Sequence, residues 1–314
     1  MATSNAASLA ARSRFAFEVC SIVAPSEPGF NRAIGDLEKQ WDAITTFPTS
    51  DGALNALHPD TLRLMDKSSL SAEAAAAGLD VPPTHVFTSA EQLRTLAGDI
   101  GFPLIVKPSR KVPGGPIATR VGSMAELDAV AIAAGIAQPF IGDTTRAIAG
   151  VAWGGRLVAV LQQLYKRTYP SQAGTASFAV SETVDTGKAA ALEGLLAGHD
   201  GVFQAQFVGE SLIDLNLRPY GSMALALAAG LNFPDMICRL TSGEAVSPIT
   251  ARTGVRYRWI DGDLRSLRAE VRDGTRGLRS AVWEAVPRPG TCHSIISLSD
   301  PLPFLVRLSR RTDS

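Results

Sequence analysis

The chain has 314 residues, 46% of them hydrophobic and 19% charged, enough apolar material for one or two buried cores and too much for a disordered polypeptide. Thirty basic and thirty acidic residues leave a formal net charge of zero, so the basic footprint of a nucleic-acid binder is missing and a small-molecule partner is expected. The three cysteines, Cys20, Cys238 and Cys292, are widely spaced and odd in number, which argues against a disulfide framework or a zinc site and leaves them as core residues.

No stretch reaches the roughly eighteen apolar residues a membrane span needs, and the start, "MATSNAASLAARSRFAFEV", lacks the unbroken apolar core of a signal peptide. A cytoplasmic location without membrane contact is expected. Residues 1–14 are expected to be disordered. Then "FAFEVCSIVAP" reads as a strand, "FNRAIGDLEKQW" as a helix and "DAITTFP" as a second strand, a βαβ-like segment over 15–60 that is too small to stand alone. "MDKSSLSAEAAAAG" is a helix with Asp66 at its start and Gly78 at its stop. "TSAEQLRTLAGDIG" opens with the capping spacing Ser89 to Gln92, and "GFPLIVKPS" is a short buried strand. A basic, glycine-bearing connection, "SRKVPGGPIATRVGS", leads to the helix "SMAELDAVAIAAG", capped by Ser123 with Glu126 three residues on. The strands "IAQPFI", "AIAGVAWGG" and "RLVAVLQQLYKRTY" follow with tight turns, as one largely antiparallel sheet. After the helix "GKAAALEGLLAG" comes the hairpin "GVFQAQFVGESLIDLNLRP", and the arginine-richer residues 251–314 read as a closing segment on the outside.

The hairpin carries the chemistry. Period-two alternation puts Asp214, Asn216 and Arg218 on one face while Ile213, Leu215 and Leu217 point into a core. On the preceding strand Phe203, Ala205 and Phe207 are core-facing, and Gln204 and Gln206 are not. A three-residue turn, "GES", sets 206 opposite 214 and 204 opposite 216; an even-numbered turn would break the core pattern. The face so formed offers amide and carboxylate oxygens, which suit Mg²⁺, beside a guanidinium that suits a phosphate. Alone, such residues are ordinary on a solvent-facing strand. Lys107 shifts the balance: it ends the apolar strand "PLIVK", where an unmet ammonium costs several kcal/mol. It enters a loop in which Gly114 and Gly115 let backbone N–H groups approach a phosphate while Lys111 and Arg120 add charge. His58, His85, His199 and His293 are scattered and read as structural or surface residues.

The order of these pieces resembles the ATP-grasp superfamily over roughly residues 47–250: "PTSDGALNAL", "DKSSLSAEAAAAGLDVPPT", "GFPLIVKPS", "KVPGGPIATR", "QPFIGDTTR", "QAQF" and "LIDLNLRPYGSMALALAAGLNFP". The closing motif looks most like the carbamoyl-phosphate-synthase-like and carboxylate–amine ligase branches. The resemblance implies an α/β fold with α+β subdomains: a truncated Rossmann-like segment over 15–60, an ATP-grasp core over 61–250 and a closing segment over 251–314. It implies that Lys67 and Lys107 contact nucleotide phosphates under the loop of Gly114 and Gly115. Backbone groups at Gln138 and Phe140 would line the adenine and Asp143 would meet the ribose, with Lys166 and Arg167 as further anion contacts. Gln206, Asp214 and Asn216 would hold two Mg²⁺, with Mn²⁺ as an alternative, and Arg218 would steady the transferred phosphoryl group.

The implied reaction is ADP-forming: ATP phosphorylates a small carboxylate, and an amine or amino acid attacks the acyl phosphate. Alternatives are a phosphotransferase that stops at the first step and a nucleotide-binding accessory or regulatory subunit without turnover. The chain is short for a biotin-dependent carboxylase and shows no biotinyl-lysine context. Three departures stand out. The front domain of such ligases is about half present here, so a partner subunit, a second copy, or the central domain with the arginine-rich tail would complete the acceptor site; Arg252, Arg256 and Arg258 are candidates for a carboxylate surface there. Pro116 follows the glycine pair and stiffens the lid. Aspartate rather than glutamate stands at 214, a shorter arm that still ligates Mg²⁺.

Overall fold

The structure is a computed structural model and describes residues 1–5, 7–110, 115, 117–170 and 174–309. The front of the chain comprises β1 (Ala2–Thr3), β2 (Cys20–Ser21), α1 (Phe30–Gln40), α2 (Asp51–Leu57) and α3 (Leu62–Met65). A small sheet and its helices follow: α4 (Lys67–Ala76), β3 (His85–Phe87), α5 (Ala90–Ile100), β4 (Leu104–Lys107), β5 (Thr119–Val121), α6 (Met124–Asp128) and β6 (Gly135–Pro139). Next are β7 (Thr145–Trp153), β8 (Arg156–Tyr169), β9 (Thr175–Glu182), α7 (Thr186–Leu195), β10 (Gly201–Val208), β11 (Ser211–Asn216), α8 (Ala224–Ala228) and α9 (Phe233–Thr241). The chain closes with β12 (Ile249–Thr250), β13 (Arg256–Arg258), α10 (Ile260–Arg272), α11 (Leu278–Ala285), β14 (Thr291–His293) and α12 (Leu302–Ser309).

Side-chain caps start several helices, at Asp66, Ser89 and Ser123 where the sequence marks them and also at Ser50 and Asp185. Ser50, Asp66, Ser89, Ser123 and Asp185 each accept a backbone N–H from the first turn of α2, α4, α5, α6 and α7, satisfying donors that have no partner inside the helix. Glu126 completes a reciprocal box by accepting the Gly122 N–H at 2.7 Å. Gly78 ends α4 with φ +82°, the left-handed stop that a side chain would strain.

Among the described residues, β3–β6–β4–β5 form an antiparallel four-stranded sheet, and β11–β10–β7–β8–β9–β13–β14, with β12 on β8, form an eight-stranded one. Alternation along β7 divides the large sheet's two cores: Ile148 and Ala152 pack with α4 and α7, whereas Ala147, Ala149 and Val151 face α8 and α9. The small sheet has its own core of Phe87, Leu93, Leu104 and Val106 beneath α5 and α6.

Several expectations are corrected. Residues 1–14, expected to be disordered, include β1, which pairs in parallel with β2, and Ser13 and Arg14, which both bond the Asp300 carboxylate. "DAITTFP" is not a strand: it pairs with no strand among the described residues, and Phe47 instead packs onto the large-sheet core. α6 stops at Asp128 because Val130 and Ile132 turn into the small-sheet core. β6 and β7, expected in one sheet, lie in different ones, so residues 140–144 bridge the two sheets. The closing segment is not merely external: Tyr257 is 2% exposed within the large-sheet core, and β13 extends that sheet.

Candidate nucleotide and metal site

β10 buries Phe203, Ala205 and Phe207 and turns Gln204 and Gln206 to the opposite face. β11 sets Asn216 opposite Gln204 and Asp214 opposite Gln206. This is the expected register, reached by another route. The turn is the two residues Gly209 and Glu210, with Val208 opposite Ser211 and Phe207 opposite Leu212, and Ile213 is then inserted as a bulge. Leu212 takes the core place beside Leu215 and Leu217 that the alternation assigned to Ile213. Ile213 lines a cavity instead, and its carbonyl accepts a hydrogen bond from Lys107 Nζ at 2.8 Å. The bulge thus supplies an acceptor to an ammonium that is only 5% exposed, where an unmet charge would be costly.

Lys67 opens α4 beside the same hairpin, its Nζ 3.3 Å from Asp214 Oδ1. Asp66, the cap of α4, accepts from the Ser68 N–H at 3.0 Å and from Arg110 Nε at 2.7 Å. Burial pushes the Asp66 carboxyl up, but the bonds from Ser68 and Arg110 outweigh it and hold the group below the usual range. The Lys67 N–H also donates to Ser109 O at 2.9 Å, which ties α4 to the segment after β4.

The oxygen donors form one chain of long contacts. Asn216 Nδ2 lies 3.4 Å from Asp214 Oδ2 and 3.5 Å from Gln204 Oε1, and Gln206 Nε2 lies 3.4 Å from that same Oε1. Behind them, Gln204 Nε2 donates to Tyr165 Oη at 3.3 Å. Burial, then the Asp214 charge, then Tyr257 push the Tyr165 phenol upward, so it stays a neutral hydroxyl. Asp214 is the carboxylate of the set, and no group of three His, Cys, Asp or Glu residues suited to a metal occurs among the described residues. Mg²⁺ is commonly held by one or two carboxylates with substrate phosphates completing the shell. One carboxylate with the amide oxygens of Gln206 and Asn216 fits such an ion if a phosphate supplies the remainder.

The cavity between the two sheets measures about 570 Å³, within the range of small-ligand sites. Its lining combines apolar Ile105, Ile117, Phe140, Ile141 and Val208 with Lys67, Lys107, Gln206 and Asp214. Gly135 allows this closeness, because a Cβ there would sit 2.3 Å from the Lys107 carbonyl oxygen.

Other candidates are placed as follows. Gln138 and Phe140 line the cavity. The Gln138 side chain is held by Thr84 Oγ1 at 2.7 Å, and the Phe140 N–H donates to Pro103 O at 3.1 Å rather than into the cavity. Asp143 is exposed, accepts the Thr144 N–H, which lowers its pKa, and lies beyond the lining. Lys166 is exposed and also outside the lining, although Thr168 and Tyr169 of the same strand belong to it. Gly115 lines the cavity, while Gly114, Lys111 and Pro116 fall outside the described residues. Arg218 does not line it; its fork is taken by Asp51, with Nε–Oδ1 at 2.6 Å and Nη2–Oδ2 at 3.1 Å. Arg167, expected as an anion contact, is instead buried in ion pairs with Asp263 and Glu284. Arg258 joins that cluster and Arg252 bonds Ala228 O, so these two do not form the expected carboxylate surface. Thr84, Tyr165 and Asp51 had no assigned role, although each lies in a stretch quoted above, and Gln204 was placed on the donor face without a ligand role.

A four-stranded sheet and a larger, mostly antiparallel one, enclosing a cavity with Lys107 from the small sheet, Lys67 from α4 and oxygen donors from the large sheet, define the ATP-grasp fold, and this chain has it. Among similar solved structures is the biotin carboxylase domain of the Hydrogenobacter thermophilus 2-oxoglutarate carboxylase, a dimer with MgADP, ADP and bicarbonate (TM-score 0.61, 13% identity, 79% of this chain and 66% of that one). Others are a Campylobacter jejuni biotin carboxylase in a β,γ-ATP complex (0.59, 16%, 82% and 68%) and the Staphylococcus aureus N5-carboxyaminoimidazole synthetase with ADP (0.60, 12%, 81% and 73%). The chain therefore spans about two thirds of the length of these carboxylases, and likeness at such identity establishes the fold. No protein-family model and no curated protein matches the sequence.

Proposed function

We propose that the chain is an ADP-forming, Mg²⁺- and ATP-dependent ligase that activates a small carboxylate as an acyl phosphate and couples it to an amine or amino acid. The observation that carries this reading is the convergence of Lys67 and Lys107 on the Gln206–Asp214–Asn216 hairpin at one wall of a nucleotide-sized cavity. Phosphoryl transfer needs positioning and charge neutralisation more than a side-chain nucleophile. The two lysines bring positive charge to the phosphates, and the apolar lining that includes Ile105 and Phe140 suits a base. Gln206, Asp214 and Asn216 would hold Mg²⁺, which supplies charge neutralisation at the phosphates when bound. The neighbours' complexes with ADP, Mg²⁺ and bicarbonate support a carboxylate acceptor.

The test is ADP release by the purified chain with a panel of small carboxylates, bicarbonate included, with and without amines. Amine-dependent turnover supports the ligase; carboxylate-dependent turnover that ignores amines indicates a phosphotransferase. One observation favours a third reading, a nucleotide-binding subunit without turnover: the carboxylate of the donor set, Asp214, is paired with Lys67. Metal-dependent ADP formation by the chain alone excludes it.

A further inference from the structure

Arg218 is gripped from outside the large sheet. Asp51, the first residue of α2, accepts Nε–H at 2.6 Å and Nη2–H at 3.1 Å, and the Pro219 carbonyl accepts Nη1–H at 3.0 Å. The pair is mostly buried, with side-chain exposures of 19% and 12%. A guanidinium has five N–H donors. Three are engaged, and the remaining two, one on each terminal nitrogen, have no partner among the described residues. Two donors on adjacent nitrogens are the fork that a phosphate or carboxylate accepts.

The face of α2 that holds Asp51 is turned toward the metal donors. One helical turn on, Asn55 Oδ1 is buried without a hydrogen-bond partner among the described residues. Asp51 and Asn55 share a small cavity with Lys67, Asp214 and Asn216. An ion pair serving stability alone gains little over apolar packing, and it would not need to leave two donors uncommitted.

We propose that Asp51 is a positioning residue: it fixes the plane of the Arg218 guanidinium so that its two remaining N–H groups meet an oxyanion at the acceptor side of the site. This rests on the phosphoryl-transfer reading above. It adds that a residue of the front segment, far from the hairpin in sequence, sets the geometry of the arginine at the hairpin's end.

The test is calorimetric titration of inorganic phosphate into the full chain in the presence of MgADP. Wild type is expected to bind phosphate. Asp51→Asn should weaken phosphate binding by about tenfold or more while MgADP affinity changes little. Arg218→Lys should do the same, the double variant should be no weaker than either single one, and Asp51→Glu should recover part of the loss. Unchanged phosphate affinity in Asp51→Asn, a loss matched by an equal loss in MgADP affinity, or no phosphate binding by wild type would each overturn the proposal. The ligase reading is judged separately, by carboxylate- and amine-dependent ADP release, so the two can fail independently.

Discussion

Lys67 Nζ lies 3.3 Å from Asp214 Oδ1, and this contact joins the first residue of α4 to the hairpin of the large sheet. Both side chains are largely buried, so the ammonium competes with any cation for the same carboxylate. Lys67→Met is therefore expected to have opposite effects on two ligands. Mn²⁺ alone should bind more tightly, by about tenfold, because a like charge has been removed. An ATP analogue should bind more weakly, because a phosphate contact is lost. Manganese electron paramagnetic resonance and nucleotide calorimetry read the two separately, and parallel changes would contradict the competition.

The Ile213 bulge makes a sharper prediction. Removing Ile213 leaves Gln206 opposite Asp214 and keeps Leu212 in the core, so the hairpin should fold with a shift in melting temperature under about 5 °C. It removes the carbonyl that accepts from Lys107 Nζ. Nucleotide affinity should fall by about tenfold, as in Lys107→Met, since a charged hydrogen bond is at stake in each. Retained affinity in the deletion variant would show that the bulge does not orient Lys107.

Gly135→Ala tests the packing beneath the same lysine. Its Cβ would be 2.3 Å from the Lys107 carbonyl oxygen, a backbone atom that cannot rotate away. Chemical denaturation should show a loss of about 1–3 kcal/mol, with weaker nucleotide binding because β4 must shift.

His199 ties stability to pH. It is 7% exposed between α7 and β10, with a ring nitrogen 3.2 Å from Val202 O, and burial lowers its pKa from the ordinary 6.5. The unfolded chain then binds the proton more readily than the folded one, so the contribution is complete above about pH 6.5 and is lost as pH falls below it. Urea unfolding at pH 7.5 and pH 5.5 should show lower stability at the acid value, and His199→Gln should flatten part of that slope.

The sequence exposed what is local. Caps at Asp66, Ser89 and Ser123 are set by contacts within one turn, and the pairing of 206 with 214 follows because a slipped register would turn core residues to the wrong face. Period two could not reveal the bulge, since a shorter turn plus one inserted residue preserves the same register. Nor could it reveal that β6 and β7 part into separate sheets, which depends on partners far along the chain. The Asp51–Arg218 and Arg167–Asp263 pairs are hidden for the same reason: each spans a long stretch of sequence. A basic residue looks alike in the sequence whether it faces a phosphate, as proposed for Lys107, or a buried carboxylate, as Arg167 does.

The most direct measurement is calorimetric binding of a non-hydrolysable ATP analogue to the full chain, with and without Mg²⁺, in wild type, Asp214→Asn and Lys107→Met. The account predicts tight binding only with the ion present, weakened about tenfold or more in the first variant through the metal and about tenfold in the second through the phosphate contact. Binding that ignores Mg²⁺ and survives both substitutions, or no binding by wild type under any condition, would contradict it.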